Sequence, residues 1–235
     1  MISVIVPVYN EQNNINFFIK TIVPMLEKIG TYEIIFCLDP SSDNSESIIM
    51  SEIEKNKNIK LIVFSRRFGQ SNCIYAGIKN CKGDACVVID VDMQDPPELI
   101  IQMYEEMQKG YDCVYAQRIK REGENFIRIL ITNFYYFLIN KFNDYKIPKN
   151  AGEFRIFSRK IIEQIKDSND INFFLRGITP LIGFKHKSIK FVRPKRLSGT
   201  SKYSLGSFTG AITGIVNFST LISRSIQFFF ILNIL

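Results

Sequence analysis

The chain has 235 residues, 46% of them hydrophobic and 23% charged, the make-up of an ordinary globular protein able to bury one sizeable core, with room for a small appendage. Its net charge of +7 is uneven: residues 1–100 carry 9 Lys/Arg against 13 Asp/Glu, net −4, and residues 101–235 carry 21 against 10, net +11. A basic second half calls for an anionic partner, a phosphorylated substrate or an anionic membrane surface, whereas nucleic acid is disfavoured because no zinc-finger, RNP or recognition-helix pattern occurs.

Met1 leads straight into an apolar strand at 2–8, which speaks against a signal peptide. Further strands are expected at 32–38, 59–64, 85–90 and 111–117, with amphipathic helices between them at about 13–29, 43–56, 70–81 and 97–109. This alternation predicts an α/β protein built on a doubly wound, mainly parallel sheet. Near residue 120 the texture changes. The stretch 123–143 is long, aromatic and helical in pattern, with Phe134, Tyr135, Tyr136 and Phe137 clustered in it. A short strand at 153–157, a helix from 158, a basic strand at 186–193 and a Ser/Gly/Lys-rich loop at 195–206 follow. Residues 206–222 are small, apolar and uncharged, which suits a helix lying on a membrane or a partner. The last ten, Ile226 to Leu235, are strongly apolar yet short of the roughly 20 residues of a spanning helix. They suit a core helix, a surface anchor, or the start of a transmembrane helix cut short.

The five cysteines, Cys37, Cys73, Cys81, Cys86 and Cys113, are odd in number and form no CxxC. Three of them sit in apolar strand-like runs, so they read as reduced thiols in a cytosolic compartment. The lone His186, flanked by lysines, reads as structural.

The densest chemistry is Asp90-Val91-Asp92-Met93-Gln94-Asp95-Pro96-Pro97-Glu98, directly after the run Ala85-Cys86-Val87-Val88-Ile89. Carboxylates at a strand's carboxyl end lie where open α/β sheets bind ligands, and hard oxygen donors at alternate positions suit Mg²⁺ or Mn²⁺ on a diphosphate. The same residues also make a solvated acidic turn capping a helix. Asp39, at the end of the strand 33–38, reads as a ligand for a base or ribose or as part of an Asx turn, with Asp43 capping the next helix. Ser65-Arg66-Arg67-Phe68-Gly69-Gln70 reads as a phosphate or base clamp or as a solvated basic turn. No Walker motif or GxGxxG occurs, so P-loop hydrolysis and hydride transfer lack their expected support. In the second half Arg118, Arg121, Arg128, Arg155, Arg176 and Lys202 are spread over several segments that can converge on one phosphorylated ligand.

Taken in order, these motifs resemble the family 2 glycosyltransferases. Ile2-Ser3-Val4-Ile5-Val6-Pro7-Val8-Tyr9-Asn10-Glu11 is similar to their opening strand, and Asp39 to Asp43 to their DGSxD turn, with Pro40 in place of the usual glycine. The Arg66 motif, Ala76-Gly77, Gly83-Asp84, the Asp90 motif, Gly152-Glu153-Phe154-Arg155, Arg176-Gly177 and Arg196-Leu197-Ser198-Gly199-Thr200-Ser201-Lys202-Tyr203 resemble the subgroup that glycosylates polyprenyl or dolichyl phosphate. The resemblance covers residues 2 to about 224. It implies a GT-A fold over 1–205, with a nucleotide-sugar half (1–117) and an acceptor half (118–205), and membrane-associated helices over 206–235.

The resemblance also implies residue roles. Pro7, Tyr9, Glu11, Asp39, Arg66, Gly69 and Asp90 would bind the donor, with Asp39 at the base and Asp90 at the ribose or the metal. Asp92 and Gln94 would ligate Mg²⁺ or Mn²⁺. Arg118, Arg121, Arg128, Thr132, Arg155 and Lys202 would meet the acceptor phosphate, and Asp92, Glu153, Arg128 and Lys202 would carry catalysis. Glu153 stands where relatives commonly have Asp and reads as an orienting group or a base. The implied reaction is inverting transfer of a hexose from a nucleotide sugar, a UDP-sugar by likeness to bacterial members, to polyprenyl phosphate. Its place would be the cytoplasmic face of the plasma membrane, held peripherally or through the C-terminus, with a homo-oligomer open. The alternatives are transfer to a saccharide, and a truncated nucleotide-binding remnant at the membrane.

Overall fold

Strands and helices alternate from the first residues, and the sheet they build explains which chain segments meet. The computed structural model describes residues 1–119, 126–141, 145–168 and 173–192, without the side chains of residues 126–129, 135 and 138. Its strands are β1 (Ile2–Val8), β2 (Tyr32–Leu38), β3 (Ile59–Val63), β4 (Ala85–Val88), β5 (Cys113–Arg118), β6 (Ala151–Ser158) and β7 (His186–Phe191). Its helices are α1 (Gln12–Ile29), α2 (Ser45–Lys55), α3 (Gln70–Asn80), α4 (Leu99–Gln108), α5 (Phe126–Lys141), α6 (Arg159–Asp167) and α7 (Leu175–Ile182).

The strands form one seven-stranded sheet in the order β3-β2-β1-β4-β6-β5-β7. β1 to β4 are mutually parallel and β5 is parallel to β7, while β6 is antiparallel to both neighbours. The mainly parallel sheet expected from the alternation is therefore present, with one reversed strand that periodicity does not reveal. Apolar residues on alternate strand positions feed two cores, one on each face. Val4, Val6, Ile34, Phe36 and Val87 pack with α1, α2 and α4. Ile5, Ile35, Cys86, Val88 and Phe157 pack with α3, α5, α6 and α7. All five cysteines are buried and free, and burial pushes the Cys37 and Cys113 thiols up to about 12, which leaves them as small apolar side chains.

α7 was not anticipated, because Gly177 and Pro180 interrupt its local pattern. It forms because Leu175 and Ile178 bury against the sheet. α4 starts at Leu99, after Pro96-Pro97, and α2 at Ser45, two residues later than expected in each case. α5 buries Tyr136 and Ile139 and leaves Leu130, Ile131, Phe134 and Phe137 more than half exposed. No helix among the described residues is long and apolar enough to cross a membrane, and residues 206–235 lie outside the described residues. His186 Nε2 donates a 2.6 Å hydrogen bond to the Gly183 carbonyl just past α7.

A polar network ties the amino-terminal edge of the sheet. Buried Glu33 accepts from Ser3 Oγ (2.6 Å), the Lys82 backbone N–H (2.6 Å) and Lys60 Nζ (2.5 Å). Burial alone would raise the Glu33 carboxyl, but the hydrogen bonds from Lys60, Ser3 and Lys82 outweigh it and hold the group below its ordinary 4.5. A depressed carboxyl stabilises the fold above its unfolded value, and that contribution is lost as pH falls through the folded value. Glu33→Gln should therefore lower the melting temperature at pH 7 and flatten its decline below pH ~4.5; an unchanged acid limb would refute the network's role. At Gly77 a Cβ would stand 2.3 Å from Ile5 Cγ2 and 3.0 Å from Cys37 Sγ, so α3 rests directly on β1 and β2. Gly77→Ala should cost about 1–3 kcal/mol in denaturant unfolding, the range of overpacked cores, and a neutral result would mean that α3 is free to shift.

Candidate active site

The parallel strands all point their carboxyl ends to one edge of the sheet. β1 has β2 on one side and β4 on the other, so the strand order reverses there and a crevice opens between the ends of β1 and β4. Pairing of β1 with β4 stops at Ile5↔Val88 while pairing with β2 runs on to Val8↔Leu38. Pro7 falls in that unpaired stretch, and its missing N–H points to the β4 side, as the Ile5 carbonyl does in accepting from Ile89 N.

The rim of the crevice is cross-braced. Asn10 Oδ1 accepts from Ser42 N (2.8 Å), Asp43 Oδ2 from Gln12 N (3.0 Å), and Ser45 Oγ from Glu11 N (2.9 Å). Asp43 Oδ1 also accepts from Ser45 N at 3.0 Å, although the N-cap position of α2 is taken by Asn44 and not by the Asp43 expected there. The Glu11 carboxylate is engaged by Asn14 Nδ2 at 2.5 Å. Tyr9 lies under Arg67, whose guanidinium carbon sits 4.0 Å from the ring centroid, and exposed Arg66 stacks 3.9 Å from the Phe68 ring. Arg67, named in the sequence motif without a role, is the arginine that meets the Tyr9 strand end.

Asp39 is buried, and its two oxygens accept from Phe68 N (3.0 Å) and Gly69 N (2.8 Å). It thereby locks the turn between β3 and α3 to the end of β2. Gly69 stands at φ +85°, a left-handed conformation that favours glycine, and it brings those two amides onto one carboxylate. The Asx-turn and ligand readings of Asp39 both missed this backbone cradle, which joins residues 29 and 30 positions apart.

The acidic turn follows β4. Asp90 Oδ1 accepts from Gln70 Nε2 of α3 at 2.7 Å, and Asp92 Oδ1 accepts from Gln94 N at 3.1 Å within its own turn. Met93, between the two expected ligands, has φ +58°, an uncommon conformation for a bulky side chain and of the kind found at ligand sites. Two carboxylates and an amide oxygen are hard donors that fit Mg²⁺ or Mn²⁺. No three His, Cys, Asp or Glu side chains form a closed cage among the described residues, so such an ion would complete its shell with ligand or water oxygens.

β6 brings the second half of the chain to this turn. Its register with β4 runs from Ala85↔Ser158 to Val88↔Arg155, so Glu153 and Asp90 both lie just beyond the last paired residues at that end. Glu153 Oε1 accepts from Arg176 Nε of α7 at 2.6 Å. Arg118, at the end of β5, pairs with buried Asp95 at 3.5 Å, and its Nη2 lies 2.9 Å from where a Cβ on Gly152 would stand, an approach that only a glycine leaves open. Asp95, to which sequence reasoning attached no role, thus connects the acidic turn to a predicted acceptor cation.

Arg155 corrects an expectation. It is 1% exposed, with Nη1 donating to Thr179 Oγ1 at 2.7 Å and Nη2 donating to the Gly152 carbonyl. Burial pulls its guanidinium below its ordinary value. It faces the interior because even spacing along β6 turns it onto α7, so its charge braces the fold rather than meeting solvent. Thr132 lies half-buried on α5. The side chain of Arg128, and Arg121 and Lys202 entirely, lie outside the described residues.

A mixed sheet between two helical layers, with carboxylates gathered at a strand-order reversal, is the GT-A-like scaffold of nucleotide-sugar transferases. The same fold occurs in glucosyl-3-phosphoglycerate synthase from Mycobacterium tuberculosis in complex with Mn²⁺, UDP-glucose and phosphoglyceric acid, with a TM-score of 0.61, 17% identity and coverage of 95% of this chain and 79% of that one. It also occurs in the mannosyltransferase PcManGT from Pyrobaculum calidifontis in complex with GDP-Man and Mn²⁺, with a TM-score of 0.57, 17% identity and coverage of 85% and 58%. The Glycosyl transferase family 2 model matches residues 3–166, and the chain belongs to that family. It is 38% identical over 219 residues to the uncharacterized glycosyltransferase YkcC of Bacillus subtilis, spanning 92% of this chain and 68% of that protein. It is 37% identical over 222 residues to the prophage bactoprenol glucosyl transferase homolog of Escherichia coli, spanning 93% and 72%. The chain is a glycosyltransferase.

Asp39→Asn keeps the shape but offers an NH₂ to one of the two backbone amides, leaving that donor unpaired. We expect a loss of about 1–3 kcal/mol in unfolding free energy and weaker nucleotide-sugar binding by calorimetry; wild-type values for both would refute the cradle.

Proposed function

We propose that this enzyme transfers a hexose, with inversion, from a UDP-sugar to the phosphate of a polyprenyl lipid at the cytoplasmic face of the plasma membrane. The observation that carries this reading is the junction of the acidic turn with Arg118 through Asp95, which sets a donor-type oxygen cluster beside an acceptor-type cation. The bactoprenol glucosyl transferases of Shigella phages, 37% identical over 93% of this chain, support the choice of lipid. Residues 1–117 serve the nucleotide sugar and residues 118–205 the acceptor.

The acceptor phosphate has a second pKa of about 6 and is largely dianionic at neutral pH. One of its oxygens attacks the anomeric carbon, the bond from that carbon to the diphosphate oxygen breaks, and the nucleoside diphosphate leaves with the electron pair. Little proton removal is required, so Glu153 orients the acceptor rather than acting as a base. The larger task is aligning two anions that repel each other. Asp39 and the Tyr9–Arg67 stack flank the nucleotide, with Pro7, Glu11, Arg66 and Gly69 shaping that wall. Arg118, Arg121, Arg128, Thr132 and Lys202 meet the acceptor. Asp92 and Gln94, with Asp90 as a further donor, would hold Mg²⁺ or Mn²⁺, which supplies charge neutralisation for the leaving diphosphate.

The exposed stripe Leu130, Ile131, Phe134 and Phe137 recurs at helical spacing and presents an apolar face suited to the bilayer surface that holds such a lipid. Residues 206–235 would add a second membrane contact.

Purified enzyme with radiolabelled UDP-sugar and polyprenyl phosphate in detergent should deliver label to the organic phase; label appearing in saccharide polymer alone would overturn the lipid acceptor. Asp92→Asn should lower that transfer by ~10²-fold or more, the scale of losing a group that stabilises developing charge, without shifting the melting curve. Full activity in this variant would refute the metal role of Asp92.

A further inference from the structure

α7 touches the working end of the sheet through two polar contacts. Arg176 and Thr179 lie three residues apart on one face of α7, and Glu153 and Arg155 lie two residues apart on one face of β6. A rise of about 4.5 Å on the helix faces about 6.6 Å on the strand, close enough for each helical residue to reach one strand residue. Arg176 Nε donates to Glu153 Oε1 at 2.6 Å, and Arg155 Nη1 donates to Thr179 Oγ1 at 2.7 Å. Thr179 in turn donates to the Leu175 carbonyl at 3.0 Å, which fixes its hydroxyl as the acceptor for Arg155. The second contact is wholly buried and holds α7 in place. The first is different. The Glu153 side chain is 12% exposed, and its Oε2 is buried without a hydrogen-bond partner among the described residues.

Buried carboxylate oxygens are costly to leave unsatisfied, so an unpartnered one beside the acidic turn calls for a reason, and a role in the reaction is one such reason. We infer that Arg176 is a positioning residue for transfer: it clamps Oε1 of Glu153 and so fixes the direction in which Oε2 faces the reacting groups. The inference rests on the transferase reading proposed above and adds to it the group that sets the geometry of Glu153. A glutamate has three rotatable side-chain bonds, so without a clamp its head samples several positions. A charge-assisted contact from the guanidinium fixes one of them.

The alternative is that the ion pair merely staples α7 to β6, and kinetics distinguish the two. In the full chain, Arg176→Gln should lower kcat for sugar transfer by roughly 10–100-fold, the scale of a misoriented reacting group, while calorimetric affinity for UDP-sugar changes little. Arg176→Lys should restore most of the loss, because its ammonium can still donate to Oε1. Thr179→Val, which removes the buried contact without touching Glu153, should lower the melting temperature and leave kcat near wild type. In the Glu153→Gln background, adding Arg176→Gln should slow transfer no further. Wild-type kcat in Arg176→Gln, additive losses in the double variant, or an equal kcat loss in Thr179→Val would each overturn the positioning role. Should wild-type enzyme glycosylate a saccharide and not the lipid, the acceptor proposal fails, and the same cycle run on the saccharide still decides Arg176.

Discussion

Because β6 runs antiparallel between β4 and β5, its first residues rather than its last reach the edge where the parallel strands end. That reversal draws Gly152 and Glu153 to the acidic turn after β4, across more than sixty positions of chain. A parallel strand in the same slot would deliver Ser158 there and carry Glu153 to the opposite edge. The site's other relations depend on this placement: Gly152 gives Arg118 its passage to Asp95, and Glu153 gives α7 its anchor through Arg176.

Four carboxylates of the crevice are held by donors from other segments, whereas Asp92 is held by the Gln94 amide of its own turn. Asp39 is held by the backbone before α3, Asp90 by Gln70 of α3, Asp95 by Arg118 of β5 and Glu153 by Arg176 of α7. Several anions gathered at one edge would otherwise repel each other and raise the free energy of the fold. Donors drawn from separate segments reduce that penalty and orient these carboxylates before any ligand arrives, the condition under which polar groups are most effective in catalysis. The basic excess of the second half is consequently less available than its count suggests. Arg155 is enclosed within the fold, where it meets Thr179 and the Gly152 carbonyl.

Much of this architecture was legible locally. Buried strands announce themselves as short apolar runs, and the helices between them as 3.6-residue stripes, because both signals come from burial of the nearest face. The acidic turn and its neighbour Asp39 were visible as carboxylates at strand ends, and the order of motifs identified the glycosyltransferase family. α7 was not legible, since Gly177 and Pro180 oppose a helix and only the burial of Leu175 and Ile178 overrides them. Arg155 was misread because an arginine in a motif looks the same whether its face of the strand meets a ligand or a packed helix.

The sequence by itself determined most of the elements, the fold class and the chemical types present, because these depend on residues close together along the chain. It also carried the motif order that marks a sugar transferase. Only the tertiary structure decided the direction of β6, the partners of Asp39 and Asp95, and the contact of Arg176 with Glu153. Those depend on strand register and on which face each side chain occupies, and a pairing between residues tens of positions apart leaves no periodic trace in either segment.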